Sequence, residues 1–213
     1  MQNIAQQERA ALVSTMLAIG PDAPTLCGDW LTRDLAAHLV LRERRPDAAL
    51  GAVLPALAGR TARIQKGMAE GDWNALLEQI RTGPPRWHPA AIAKIDDATN
   101  TGEFFVHHED VLRGAPGWER RVPSPQLSKA LWSALPQIGR LALRTVRVGV
   151  VANSPGVGRR SLKKPKDGHG SVVLTGEPGE IFLSIFGRDT VAQVEFEGSD
   201  ADVAAYQGAS RGV

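Results

Sequence analysis

Residues 102–114 read GEFFVHHEDVLRG, and residues 25–45 read TLCGDWLTRDLAAHLVLRERR. The first stretch carries Glu103 and His107 four positions apart in a run with helical character. Each helical residue turns by about 100°, so four residues bring two side chains back to within about 40° of one another. One face of one turn then offers a carboxylate oxygen and an imidazole nitrogen. His38 sits in the middle of the second stretch, between apolar neighbours, on another expected helix. Three ligands from two facing helices make a centre of two imidazoles and one carboxylate with open positions. Such a centre suits Zn²⁺, and also Fe²⁺, Mn²⁺ or Ni²⁺. His108, five from Glu103, points away from the pair. Asp110, seven from Glu103, returns to the same side, where it can accept an imidazole N–H; Asp34, four before His38, can do the same. Arg42, four after His38, shares its face: it either holds a substrate carboxylate beside the metal, the role assigned to it here, or is a solvated cation that complements the helix end.

Working outward, the first half reads as helices. Ile4 to Ala18 has apolar residues at helical spacing and stops at Gly20-Pro21. Thr32 is the expected N-cap of the helix that carries His38, which ends before Pro46. A third helical region begins near Arg60-Thr61, is interrupted at Gly71-Asp72, and is recapped by Asp72 through Arg81. A loop with His88 follows, then a fourth helix from about Asp96 to Arg113, stopped by Gly114 with Pro116 beyond. The second half changes character. A helix with an internal proline, Pro136, leads into TVRVGVVA, SVVLTG, EIFLSIFG, AQVEFEG and SDADVAAYQGA, read as β-β-α-β-α. EIFLSIFG fits helix or strand by pattern, and Pro178-Gly179 before it favours a new element. Between the first two strands, RRSLKKPKDGHG (159–170) reads as a solvated, charged hairpin loop. The expected class is α+β, with a helical bundle over 1–115 and a small α/β domain over 116–213.

Composition narrows the function classes. The chain has 213 residues, a hydrophobic fraction of 43% and a formal net charge of +2. These values suit a globular protein and leave no broad basic stripe for nucleic acid. The basic cluster at 159–166 lacks interleaved aromatics. No window approaches 18 apolar residues, so no membrane span is expected. The N-terminal stretch reads as an amphipathic helix instead of a leader peptide, and the single cysteine, Cys27, fits a reducing compartment. The expectation is a cytoplasmic monomer or homodimer. Cys27 itself is read as a packed loop thiol, too far along the chain from His38 to join it.

The segment CGDWLTRDLAAHLVLRERRPDAAL, together with GEFFVHHEDVLRG, resembles the DinB-like metal-binding proteins of actinobacteria. More closely, it resembles the group related to mycothiol-dependent maleylpyruvate isomerase. In that family the first ligand lies in a W-x-x-x-D-L-x-x-H-L context, matched by Trp30, Asp34, Leu35, His38 and Leu39. The other two ligands form E-x-x-x-H, matched by Glu103 and His107. GEPGEIFLSIFGR followed by VEFEG resembles the family's sterol-carrier-like C-terminal domain. The resemblance implies a DinB-like four-helix bundle holding one divalent metal, Zn²⁺ before Ni²⁺, Fe²⁺ or Mn²⁺, through His38, Glu103 and His107. It further implies a transferase or isomerase that uses mycothiol or a similar small thiol against an electrophilic substrate. The alternative it leaves is a metal-containing binding protein without turnover, whose C-terminal domain holds an apolar ligand or a partner.

Overall fold

The helical half follows its punctuation closely. A computed structural model describes residues 3–49, 54–85, 93–166 and 168–212; His88 lies outside them. Helix α1 spans Ile4–Ile19, with Asn3 accepting from the Gln6 amide at its start and Gly20 at its end. Helix α2 spans Thr32–Arg44 and a short α3 spans Pro46–Ala49. Then come α4 (Pro55–Ala69), α5 (Trp73–Thr82) and α6 (Ala93–Leu112). Asp72 caps α5 as expected, accepting from the Ala75 amide at 2.6 Å.

The start of α2 departs from expectation. Thr32 is the first helical residue, not the cap, and its hydroxyl donates to the Gly20 carbonyl. The capping contact falls to Asp34, whose carboxylate accepts from the Leu31 amide at 3.0 Å. A carboxylate three residues into a helix is well placed for that, because the first amides lack intrahelical acceptors. Asp34 is thereby drawn to the helix end.

The chain divides into two compact units, Met1–Arg120 and Arg121–Val213. The boundary lies beyond residue 115 because the Arg113 guanidinium stacks over the Trp118 ring at 4.7 Å and ties the following loop to α6. In the first unit α1 packs along α6, and α2 packs on α4 and α5. Leu12, Met16, Leu35, Leu39, Leu77 and Phe104 form its buried centre. Within this apolar interior Arg9 and Glu43 make a two-pronged ion pair, both contacts 2.6 Å, and Arg9 also donates to the Ile80 carbonyl.

The second unit opens with α7 (Pro125–Ala142), capped by Ser124, and continues β1 (Gly149–Ser154), β2 (Gly158–Lys163), β3 (Ser171–Thr175), α8 (Pro178–Ile185), β4 (Glu195–Glu197) and α9 (Asp200–Gln207). The sheet order is β2-β1-β3-β4, with β1 and β3 parallel and both outer pairings antiparallel. EIFLSIFG is helix as far as Ile185, and α8 is buried along its whole length. The segment read as a charged loop is in part a strand. Residues 158–163 pair with β1, and only the stretch after Lys163 leaves the sheet. Backbone pairing needs no apolar side chains at a sheet edge, where arginine and lysine stay solvated while Leu162 turns inward. The architecture is therefore mixed α+β. Among the described residues, no helix is long and apolar enough to cross a membrane.

Candidate metal centre

Helix α6 sets the site because its period places Glu103, His107 and Asp110 along one side. The His107 Nδ1 lies 3.0 Å from Asp110 Oδ2, and Nε2 lies 3.7 Å from Glu103 Oε2. The Asp110 side chain is fully buried and as a carboxylate accepts, so in the neutral imidazole Nδ1–H is the donor and Nε2 holds the lone pair. Asp110 thus plays the acceptor role anticipated for it.

His38 comes to the same place from α2. Its ring stands edge-on to the His107 ring, centroids 5.5 Å apart, with the Trp30 ring 5.3 Å away on another side. Burial, reinforced by His107 and Arg42, holds the His38 imidazole far below its ordinary value, at about 3, although a hydrogen bond donated to Gln65 opposes this. His38 is therefore neutral over the physiological range. His107 thus stands next to both Glu103 and His38, but among the described residues the group whose donor atoms all lie within 4.8 Å of one another is Cys27, His107 and Asp110, not the expected triad. His108 turns away as expected: its Nδ1–H donates to Glu8 at 2.8 Å, and its Nε2 lies 2.8 Å from the Thr15 hydroxyl.

Arg42 is also here, with internal partners. One terminal nitrogen donates to Glu103 Oε2 at 3.0 Å and the other to Asn100. The guanidinium therefore fixes the Glu103 carboxylate.

Cys27 overturns the sequence reading. Its thiol lies 3.0 Å from the same Asp110 Oδ2 and 4.0 Å from His107 Nδ1. Counting helical rise from His38 misplaced it, because residues 24–31 form a closed loop instead of a helical extension. Pro24 and Leu31 bridge across the loop, and Gly28 reverses the chain with φ of 65°. The Leu26 amide then donates to the Asp110 carbonyl at 3.0 Å, laying the loop on the last turn of α6. Gly114 permits that approach, since a Cβ there would lie 2.7 Å from Thr25 Cα. The Cys-Gly-Asp turn before α2 is the one sequence signal of this reversal.

Donor atoms of Cys27, His107 and Asp110 all lie within 4.8 Å of one another, so this cluster could hold a metal ion. Exposure grades across the site. Asp110 is sealed, the His107 side chain is 12% exposed and Glu103 is 25% exposed. The Nδ1 side of His107 faces the sealed Asp110 and the Nε2 side faces the partly exposed Glu103.

The fold and the cluster together define a two-unit α+β protein whose helical unit carries a donor set able to take a metal. No family model matches the chain, and no curated protein or solved structure matches it either.

Proposed function

We propose that the helical unit binds one divalent ion through His38, Glu103 and His107, and that the protein is a thiol-dependent transferase or isomerase acting on an electrophilic small molecule. The orientation of His107 carries this reading. A buried carboxylate holds the proton on Nδ1, which leaves Nε2 as the ligand nitrogen beside Glu103. An imidazole ligand with its other N–H on a carboxylate is the recurrent arrangement of protein metal sites. The spacing fits as well: two N or O donors each about 2.1 Å from one ion stand roughly 3–4 Å apart, and 3.7 Å separates these two. That distance is too long for a hydrogen bond, so the pair is not closed on itself.

A bound divalent ion would supply Lewis-acid chemistry, keeping a coordinating thiol as a nucleophilic thiolate near neutral pH. His38 contributes a neutral lone pair, because its surroundings disfavour protonation. Arg42 orients Glu103 and leaves the solvent side of the carboxylate accessible. We assign Arg42 a positioning role toward Glu103; a substrate carboxylate would have to compete with Glu103 and Asn100 for it. The resemblance to mycothiol-dependent proteins is what selects a small thiol as cosubstrate, with Zn²⁺ before Ni²⁺, Fe²⁺ or Mn²⁺.

The test is metal content followed by turnover. Untagged protein purified without added metal, then offered Zn²⁺, is expected to retain about one ion per chain, and Glu103→Gln to retain far less. Mycothiol with a panel of electrophiles is expected to react faster on loaded than on stripped protein. A stoichiometry near zero after adding Zn²⁺ sinks the metal reading, and full loading without rate enhancement sinks the enzymatic one. The second outcome would favour a binding protein. For that reading the supporting feature is a cavity of about 270 Å³ in the second unit, lined by Pro125, Ser128, Lys129, Trp132, Val157 and Pro178.

A further inference from the structure

We infer that Cys27, His107 Nδ1 and Asp110 form a second seat on the opposite nitrogen of the same imidazole, one that takes a soft, thiophilic ion such as Cd²⁺ and excludes Mg²⁺ and Ca²⁺. The seat is independent of the reading above except that both use His107.

Three observations support it. First, the spacing is that of a ligand set: thiol to carboxylate 3.0 Å, imidazole to carboxylate 3.0 Å, thiol to imidazole 4.0 Å. Donors at about 2.0–2.3 Å from a single ion stand roughly 3–4 Å apart. Second, the donors are held before any ion arrives. Asp110 is on a helix and fully buried. The Cys27 amide donates to Thr25 Oγ1 at 3.1 Å, and the Thr25 hydroxyl donates to the Trp30 carbonyl at 2.7 Å. With Leu26 bonded to Asp110 and Gly114 closely packed beneath, the thiol-bearing loop is fixed at both ends. Third, a set that contains a thiolate and an imidazole favours soft ions, whereas Mg²⁺ and Ca²⁺ require oxygen.

The proton balance is simple. Occupation converts the Cys27 thiol to a thiolate and releases that proton to solvent. The Nδ1 proton must also leave, and the neutral imidazole keeps one proton only by moving it to Nε2, on the side of Glu103. No electron moves. A neutral imidazole lends one lone pair, so the two seats are alternatives: with the thiolate seat filled, His107 presents an N–H to Glu103 instead of a lone pair. The protein then holds one ion per chain, with the seat chosen by the softness of the ion.

Cd²⁺ added to metal-free, full-length protein tests this, read by the ultraviolet thiolate-to-metal charge-transfer band and by equilibrium affinity. The expected result is one Cd²⁺ per chain with the band present. Cys27→Ser should lose the band and bind at least about tenfold more weakly, while Glu103→Gln keeps the band. A saturating excess of Mg²⁺ should leave the titration unchanged. Because Cys27→Ser could disturb folding, alkylation of the unaltered protein gives a second measurement. Cys27 is the only cysteine, and Cd²⁺ should slow its modification by at least tenfold. Absence of the band with the thiol unprotected overturns the inference, as does Cd²⁺ affinity that falls in Glu103→Gln and persists in Cys27→Ser. The first proposal fails separately, if Zn²⁺ loading survives Glu103→Gln.

Discussion

Gly114→Ala is a substitution whose sign the packing decides. Gly114 does not have positive φ, so alanine meets no backbone penalty there, and removing a glycine from such a site ordinarily stabilises by about 0.4–1 kcal/mol through the unfolded chain. Here the added Cβ would lie 2.7 Å from Thr25 Cα and 2.8 Å from the Pro24 carbonyl carbon, with the carbonyl oxygen closer still. All three neighbours are backbone, so no rotamer change relieves the clash. Overpacking of this kind costs about 1–3 kcal/mol. Lifting the loop also strains the Leu26–Asp110 hydrogen bond, worth about 1 kcal/mol. The net expectation is a loss of about 2 kcal/mol from the helical unit. Urea denaturation followed by far-ultraviolet circular dichroism measures it, and the rate of thiol modification reports the loop directly. Cys27 should react faster as its contact with Asp110 opens. A variant as stable as the parent, with an unchanged thiol rate, would refute the close approach and with it the placement of Cys27.

Arg9→Met should destabilise the helical unit by about 3–5 kcal/mol, because it strands a buried carboxylate. Arg9→Met with Glu43→Leu should recover most of that loss in a double-mutant cycle, and a double variant as unstable as the single would contradict a direct pair. Tyr206 is the only tyrosine, and burial pushes its hydroxyl up to about 12. A raised value means that the folded state keeps the proton longer than the unfolded one. Stability of the second unit should therefore be full below pH 10 and fall by about 2–3 kcal/mol between pH 10 and 12. Ultraviolet titration of the phenol should show its midpoint in the upper part of that window; a midpoint near 10 in folded protein would show that the ring is not buried. Arg42→Lys, which removes the paired contacts to Glu103 and Asn100, should lower Zn²⁺ affinity by about tenfold, as measured by competition with a chromogenic chelator.

Helix punctuation was legible because caps and stops are local chemistry: Asp72 and Gly20 each act within a few residues of their own position. The spacing of Glu103 and His107 was legible for the same reason, since helical period alone puts them on one side. What a period cannot reveal is which imidazole nitrogen faces which carboxylate, because that depends on the tertiary position of Asp110. The β2 strand was hidden by its composition, for an edge strand is held by backbone bonds and its charges need no burial. EIFLSIFG was ambiguous because an element buried on all sides carries no amphipathic signature. Asp34 was assigned to His38 by helical spacing, but a free amide at the helix start competes for the same carboxylate and prevails. Cys27 was misplaced because distance was counted along the chain, whereas a loop closed between Pro24 and Leu31 brings sequence-remote groups together.

The bond between Leu26 and Asp110 also imposes an order of events on biosynthesis. Cys27 and His38 leave the ribosome while His107 and Asp110 are still untranslated, and contacts of such long sequence separation close late. Until α6 has emerged and docked, the nascent chain has Cys27 and His38 but none of the ligands that α6 carries. Capture of the proposed ion would thus be coupled to completion of the helical unit, and an abortive fragment ending before α6 carries one of the three ligands of each set.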